Sequence, residues 1–157
     1  MSEQRVLSSD LWWVLDQHAL TIDGLTSEQL HSAPEGAGAT NSPAAIVGHT
    51  LAVTRLFVLG LGCDQDVPIR DREAEFHAAF ESVAAAKEAL RALGREIAIA
   101  LNELHPQRLE TGAIPAPAFA ATLPRDLMTR RAITVEALRH AAIHLGELRL
   151  TRSLAGP

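Results

Sequence analysis

Apolar residues recur at helical spacing along most of the chain, and three polar stretches interrupt them. The interruptions are rich in Gly, Pro, Asn, Asp and Ser and cover residues 32–43, 60–71 and 110–126, a composition typical of loops. An apolar residue at every third or fourth position indicates a helix with one side to bury. Three breaks leave four such helices, so the pattern predicts an all-α protein built as a four-helix bundle.

The first predicted helix begins at Ser9 or Asp10, either of which is a favourable N-cap, and it ends near Gly24. A short capped turn follows in "LTSEQL", where Thr26 or Ser27 leads. The chain therefore enters its first loop through a separate helical turn.

The second predicted helix has the clearest start, because Ser42 is a favourable N-cap and Pro43 loses no hydrogen bond at the first helical position. It ends at Gly60 or Gly62. The link that follows can reach about 40 Å when extended, whereas a helix of about 17 residues is about 26 Å long. This length permits helices 2 and 3 to run parallel without requiring it.

The third predicted helix spans residues 72–105, with Gly94 as a weak point and Pro106 as its stop. The fourth follows Pro124 and ends before Gly156. All four predicted helices are long enough to contribute an apolar stripe to a shared core.

Composition and charge narrow the class of protein. We expect one domain over residues 1–157, and the formal net charge of −5 comes without a dense Lys/Arg cluster, so nucleic acid is not an expected partner. Neither a signal peptide nor an apolar run of roughly 20 residues is apparent. These features predict a cytoplasmic protein with no membrane contact. Cys63 is the only cysteine, so no internal disulfide can form, which fits a reducing compartment.

The candidate chemistry lies in the histidines. His140 and His144 are four residues apart in helix 4, on the side that carries Ile133 and Ala137 and faces away from Arg131. Two imidazoles one helical turn apart can bind the same ion. A third ligand has to come from another helix.

His49 is the best candidate for that third ligand, because it shares an apolar face of helix 2 with Ile46 and Val53. Three inward histidines are typical of a site that holds Zn²⁺ or a similar ion with one position open. The alternative is that each is a core histidine hydrogen-bonded to the backbone or to a carboxylate. The spacing alone leaves both interpretations open.

Other polar residues are weaker candidates. Glu136 and Glu147 share roughly the histidine face of helix 4, as outer acceptors or proton-transfer groups, although solvation at the bundle edge is the favoured interpretation for Glu136. His18 is expected at the edge of helix 1, with a position on its apolar face that lines the same cavity as the alternative. His77 is expected in a solvated ion pair with neighbouring glutamates. Cys63 has no cationic neighbour and is expected to be an ordinary loop thiol.

Three segments resemble the DinB/YfiT-like metalloenzyme family. They are "GLTSEQL" before a Gly-rich loop, "SPAAIVGHTLAVTRLF" around His49, and "HAAIHLGELRLTRSLAG", which is similar to the family's terminal His-x-x-x-His-x-Gly-Gln signature. The resemblance covers nearly the whole chain in order. Glu147 stands where the pattern usually has Gln, which bears on the surroundings of the ligands rather than on ligation.

The resemblance implies an up-down-down-up four-helix bundle, often dimeric, with a divalent metal such as zinc or nickel held by His49, His140 and His144. Relatives in that family include transferases and an isomerase that use low-molecular-weight thiols such as bacillithiol and mycothiol. We therefore expect a metal-dependent enzyme acting on a small molecule, with a thiol S-transferase as the first hypothesis. A metal-dependent hydrolase and a non-catalytic metal-binding stress-response protein are the alternatives.

The surroundings of the site and the oligomeric state follow from two further features. The loops at residues 32–43 and 110–126 are long enough to shape the mouth of the site. Leu138 and Leu145 are expected on the outer side of helix 4. Exposed leucines there favour contact with a second chain, and hence a homodimer.

Overall fold

The described part of the chain is mostly helical. The computed structural model describes residues 2–34, 41–112 and 128–154, with no β-strand among them. The helices are α1 (Glu3–Thr21), α2 (Ser27–His31), α3 (Pro43–Thr54), a π-helix (Arg55–Gly62), α4 (Arg72–Phe76), α5 (Val83–Glu103), a 3₁₀ helix (Pro106–Glu110) and α6 (Arg130–Leu154). The predicted all-α class is confirmed.

Some predicted boundaries lie outside the described residues. They include Pro124 and Gly156, the expected limits of helix 4, and parts of the two loops expected at the mouth of the site, residues 35–40 and 113–126. Within the described ranges, α6 occupies the region predicted for helix 4.

α1 begins earlier than predicted. The Ser2 hydroxyl accepts a hydrogen bond from the backbone N–H of Arg5 at 3.4 Å and caps the helix. Ser9 and Asp10 are exposed residues inside the helix, and Leu7 is buried in the core. The prediction of a start near Ser9 is wrong because a serine or aspartate on the solvent side of a helix resembles a cap in sequence.

Two predicted caps are confirmed. Thr26 opens α2 with a capping box, in which its hydroxyl accepts from the Gln29 N–H at 3.1 Å and the Gln29 side chain accepts from the Thr26 N–H at 3.0 Å. Ser42 caps α3 by accepting from the Ala45 N–H at 3.2 Å, with Pro43 as the first helical residue. These features were predictable because a cap depends on the residues of a single turn.

The second predicted helix reaches Gly62, first as α3 and then as a π-helix that starts at Arg55. The wider π turns had no signal in the apolar pattern. Such turns are rare in proteins, and many of those that occur lie at functional sites. Phe57 of the π-helix is buried, and its ring lies 6.5 Å from that of His140. The π-helix therefore contributes to the surroundings of a candidate ligand.

The combined helix Pro43–Gly62 corrects the expectation that the chain has no long apolar run. The helix has 20 residues, and the mean hydropathy of its most apolar 18-residue window is 1.7, so by length and composition it is apolar enough to cross a membrane. However, 56% of its apolar window is buried inside the protein, and it carries His49 and Arg55. A helix that is apolar on most sides and packed among others has the features of a core helix.

The third predicted helix is two helices, α4 and α5, joined by a non-helical link. In that link the Phe80 N–H donates to His31 Nε2 at 3.1 Å, and Ser82 caps α5 by accepting from the Ala85 N–H at 3.1 Å. In these contacts, backbone N–H groups find hydrogen-bond partners in side chains rather than in a helix. Tertiary structure therefore overrides the local helix propensity. The prediction of one helix over residues 72–105 is therefore wrong.

Side-chain contacts along α1 show how its neighbours run. α5 is antiparallel to α1, because later positions along α1 meet earlier positions along α5, and α6 is parallel to α1. The contacts are Gln4–Leu104, Asp16–Arg91 and Asp23–Lys87 for α5, and Glu3–Arg131 and Gln17–Arg149 for α6.

α3 and the π-helix run antiparallel to α6. Asn41, just before α3, donates to Glu147 late in α6 at 3.3 Å. Arg130, at the start of α6, donates to the carbonyl oxygen of Leu61 near the end of the π-helix at 2.9 Å. This alignment places the middle of α3 beside the middle of α6.

α6 is buried on more than its histidine side. Leu145 is 4% exposed, and Leu138 is partly buried against the core, so the prediction that both lie on the outer side is wrong. A helix with neighbours on two sides buries a wide arc of its surface. The large apolar residues that α6 exposes are Val135, Ile143, Leu150 and Leu154.

Gly94 is not a weak point, because α5 continues through it. A Cβ atom built on Gly94 would lie 2.5 Å from Trp12 Cε3. The glycine therefore lets the indole ring of α1 pack directly against the backbone of α5.

Gly94→Ala should destabilise the protein relative to Gly146→Ala. Both substitutions bring the same gain in helix propensity, about 0.8–1.0 kcal/mol, but nothing lies within 4 Å of a Cβ built on Gly146. We expect the free energy of unfolding of Gly94→Ala to lie about 1–3 kcal/mol below that of Gly146→Ala in urea denaturation. Equal values would show that the packing of Trp12 does not depend on the glycine.

Candidate metal centre

Three histidine side chains converge where α3 lies against α6. One ring nitrogen from each of His49, His140 and His144 lies within 4.8 Å of the others. The ring centroids are 5.1 Å apart for His49 and His140, 4.8 Å for His49 and His144, and 4.4 Å for the pair on α6. Spacing of i, i+4 puts that pair on one face of α6, and the antiparallel alignment brings His49 opposite. The structure thus brings together the three residues selected from the sequence.

His144 is held by Glu147, less than one turn later in α6. Its Nδ1 lies 2.7 Å from Glu147 Oε2, and Asn41 Nδ2 donates to the other carboxylate oxygen at 3.3 Å. Pairing of Nδ1 with a carboxylate oxygen assigns a proton to Nδ1 and leaves Nε2 as the nitrogen that faces His140. Glu147 therefore lies where the sequence places an outer acceptor.

His49 is held by a residue that the sequence did not indicate, Glu75 of α4. Its Nδ1 lies 2.9 Å from Glu75 Oε2, and Arg70 donates to both carboxylate oxygens, with Nη2 2.7 Å from Oε2. Phe76 stacks on the imidazole at a centroid distance of 5.5 Å. No local spacing signalled these contacts, because Glu75 is 26 residues from His49 and lies in a segment predicted to be part of a regular helix.

The inward nitrogens fit a divalent metal ion. Nε2 of His140 lies 3.2 Å from Nε2 of His144, and Nδ1 of His140 is buried with no hydrogen-bond partner in the described part of the chain. Pairing with carboxylates accounts for His49 and His144 as core histidines, but His140 has no such partner. Three imidazole nitrogens are a donor set that suits Zn²⁺ and Ni²⁺.

Burial and neighbouring charge keep the rings of His49 and His140 neutral. Burial lowers the pKa of His140 to about 3, and the nearby His144 and His49 add to the effect. Burial also lowers the pKa of His49, against the opposing hydrogen bond to Glu75. Burial raises the pKa of Glu75, but hydrogen bonds from Arg70 and His49 outweigh it, so that pKa is lowered overall. At neutral pH His49 and His140 therefore offer the uncharged imidazoles that metal binding requires.

His18 is buried in the core rather than placed at a helix edge. It is 0% exposed, and its Nδ1 lies 2.8 Å from the carbonyl oxygen of Val14. Its Nε2 is buried without a hydrogen-bond partner among the residues that the structure describes. The prediction of an edge position is wrong because α5 and α6 both pack against α1.

The remaining sequence candidates do not join the cluster. Glu136 is 8% exposed and accepts hydrogen bonds from Arg139, so its predicted solvation at the bundle edge is wrong. His77 is exposed at the end of α4. Burial raises the pKa of the Cys63 thiol to about 11, so this cysteine stays protonated at neutral pH, as an ordinary loop thiol would.

Comparisons with known proteins bear on the family and the fold. The family model of the DinB superfamily matches residues 13–148. The crystal structure of a conserved protein from Enterococcus faecalis is similar with a TM-score of 0.71, at 16% sequence identity over 99% of this chain and 98% of that chain. At that identity the similarity is one of fold. No curated protein matches the sequence.

The burial of His18 predicts a loss of stability in acid. Burial lowers its pKa to about 4 in the folded protein, against about 6.5 in the unfolded chain, so the unfolded chain binds more protons between these values. The free energy of unfolding is therefore unaffected by the titration of this group above about pH 6.5. It falls by about 3 kcal/mol as the pH drops from there toward about 4, because the unfolded chain takes up the proton that folded His18 does not. His18→Leu removes this group.

We expect the free energy of unfolding, measured in urea, to fall less between about pH 7 and about pH 4.5 for His18→Leu than for the wild type. His77→Leu changes an exposed ring and should keep the wild-type dependence. Identical pH dependence in His18→Leu and the wild type would contradict the prediction.

Proposed function

The chain belongs to the DinB superfamily, and we propose that it is a metal-dependent enzyme that holds one divalent ion with His49, His140 and His144 and acts on a small molecule. The observation that carries the proposal is the convergence of three ring nitrogens within 4.8 Å of one another. The buried, unpartnered Nδ1 of His140 supports metal binding over simple core pairing. Zinc or nickel is the proposed metal, because imidazole nitrogen suits both.

The protein's own groups prepare the site. When bound, such an ion acts as a Lewis acid that lowers the pKa of a thiol or water in its remaining position. Glu75 holds the proton of His49 on Nδ1, and Glu147 does the same for His144. The lone pair of Nε2 in each ring is then available to coordinate a metal. The side chain of Glu147 is 32% exposed, against 5% for Glu75. Glu147 is therefore the carboxylate that we assign to accept a proton from an incoming substrate.

The proposed reaction is the transfer of a low-molecular-weight thiol, such as bacillithiol or mycothiol, to a small electrophile. The resemblance to DinB/YfiT-like relatives that use such thiols supports this choice. In the reaction the thiol loses its proton, its sulfur attacks an electrophilic carbon, and the leaving group departs with the bonding electrons. The alternatives are a hydrolase, in which water replaces the thiol, and a non-catalytic stress-response protein in which the ion only stabilises the fold.

We further propose that residues 1–157 form one domain and that the long helices follow an up-down-down-up order. Parallel α1 and α6, with α3 and α5 running the opposite way, support that order. A cytoplasmic location completes the proposal, without nucleic acid or membrane as a partner. The net charge of −5 supports the exclusion of nucleic acid.

Metal content tests the site. We expect purified protein to bind about one zinc or nickel ion per chain, measured by elemental analysis after removal of free metal. His140→Ala should lose the ion because two imidazoles remain, whereas His77→Ala, which changes an exposed histidine, should keep it. Equal metal content in the two variants would contradict the assignment of His140.

Activity assays separate the three functions. We expect the wild type to consume bacillithiol or mycothiol in the presence of small alkylating electrophiles, and folded His140→Ala to lose this activity. Ester hydrolysis without thiol consumption would favour the hydrolase. A large fall in Tm on chelation, with no turnover in either assay, would favour the non-catalytic protein. Full activity in metal-free protein would contradict the proposed enzyme.

A homodimer is the proposed oligomeric state. Trp13 is 57% exposed and Leu20 is 50% exposed on α1, and Leu150 is 60% exposed on the neighbouring α6. Large apolar side chains on adjacent helices favour contact with a second chain. We expect light scattering to give twice the chain mass for the wild type and the single-chain mass for Trp13→Glu. Ile69, in the link between the π-helix and α4, is 99% exposed, and Ile69→Glu should leave the dimer unchanged. A wild-type monomer would contradict the proposal.

A further inference from the structure

The geometry points to Arg70 and Glu75 as positioning residues that set the tautomer of His49, an inference that rests on the metal site proposed above. Glu75 Oε2 lies 2.9 Å from His49 Nδ1 and 2.7 Å from Arg70 Nη2. One carboxylate oxygen therefore accepts from both neighbours. With its proton on Nδ1, His49 keeps the lone pair of Nε2 available to a metal.

Arg70 makes the role of Glu75 more than that of an acceptor. Its Nη2 also lies 3.2 Å from His49 Nδ1, and a guanidinium can only donate. Without Glu75, the one hydrogen bond that Arg70 and His49 can form with each other runs from Arg70 Nη2 to an unprotonated Nδ1 of His49. The ring proton then lies on Nε2, where it blocks the lone pair that the metal needs. Glu75 thus prevents its neighbour Arg70 from selecting the wrong tautomer.

The fold brings Glu75 to His49 through a close contact between α3 and α4. A Cβ atom built on Gly48 would lie 2.5 Å from Ala78 Cβ and 3.0 Å from the carbonyl oxygen of Glu75. Only a residue without a side chain allows this approach. Gly48, the residue before His49, therefore lets the carboxylate reach the ring.

The site has two histidine–carboxylate pairs, which we call its arms, and they are positioned differently. The arms are His144 with Glu147 and His49 with Glu75. Glu147 lies on the same helix as His144, so α6 forms that arm by itself. The arm of His49 depends on Glu75 from α4, whose side chain is 5% exposed, and on Arg70, whose side chain is 16% exposed. Because the ion pair is shielded from water, its loss is not compensated by solvent.

Zinc affinity of the metal-free protein, measured by competition with a chromophoric chelator, tests the inference. We expect Glu75→Ala to weaken zinc binding about 10- to 100-fold. Glu73→Ala is the matched control, because it makes the same change at an exposed position of the same short helix. Adding Arg70→Met to Glu75→Ala should recover part of the affinity, because the competing donor is gone. Wild-type affinity in Glu75→Ala, or no recovery in the double variant, would overturn the inference.

A second readout does not need the metal. Ring ¹⁵N chemical shifts should show His49 with its proton on Nδ1 in the metal-free wild type and on Nε2 in Glu75→Ala. The same tautomer in both would overturn the inference. A wild type that binds no zinc but shows this change would contradict the proposed function and leave the positioning role in place.

A backbone variant keeps the test usable if Glu75→Ala does not fold. Gly48→Ala should move α4 away from α3 and weaken zinc binding, whereas Gly146→Ala, which meets nothing within 4 Å, should not. Equal zinc affinities in these two alanine variants would overturn the inference.

Discussion

The antiparallel alignment of α3 with α6 is the constraint on which the candidate site depends. It brings one histidine of α3 against two on α6, and polar contacts at both ends maintain it, Asn41 with Glu147 and Arg130 with the carbonyl oxygen of Leu61. Sliding one helix by a single turn would move its histidine by about 5.4 Å. That displacement exceeds the 4.8 Å within which the three nitrogens lie, so the site exists only in this alignment.

Burial makes the outer hydrogen bonds part of the site. Imidazoles between packed helices lose contact with water, and an unpaired polar group there costs roughly 1–3 kcal/mol. Glu147 accepts from Nδ1 of His144, and Glu75 accepts from Nδ1 of His49. These hydrogen bonds also fix Nε2 as the nitrogen whose lone pair can bind a metal. The buried Nδ1 of His140 has no partner among the described residues. His140 thus lacks the second residue that satisfies Nδ1 in the other two rings.

The sequence was most informative where one helix or one turn sufficed. His140 and His144 follow from helical spacing, and the caps at Thr26 and Ser42 follow from local turn chemistry. His49 could be placed on an inward face because α3 is regular there. The apolar pattern also implied the all-α class, since each amphipathic helix requires neighbours that cover its apolar side.

The features that were missed depend on contacts between distant segments. The break between α4 and α5 is stabilised by the hydrogen bond from Phe80 to His31, and the pairing of His49 with Glu75 joins α3 to α4 across 26 residues. The burial of His18 depends on two helices, α5 and α6, that pack against α1. No window of neighbouring residues contains this information, because propensity and periodicity describe one element at a time.

The most direct test of the account is the X-ray absorption spectrum of the zinc-loaded protein at the zinc edge. The account predicts three imidazole nitrogens at about 2.0–2.1 Å with a further light-atom ligand. His49→Ala should reduce the imidazole contribution by one ring. A spectrum of water ligands alone, or one that His49→Ala leaves unchanged, would contradict the claim that α3 and α6 together form the metal centre.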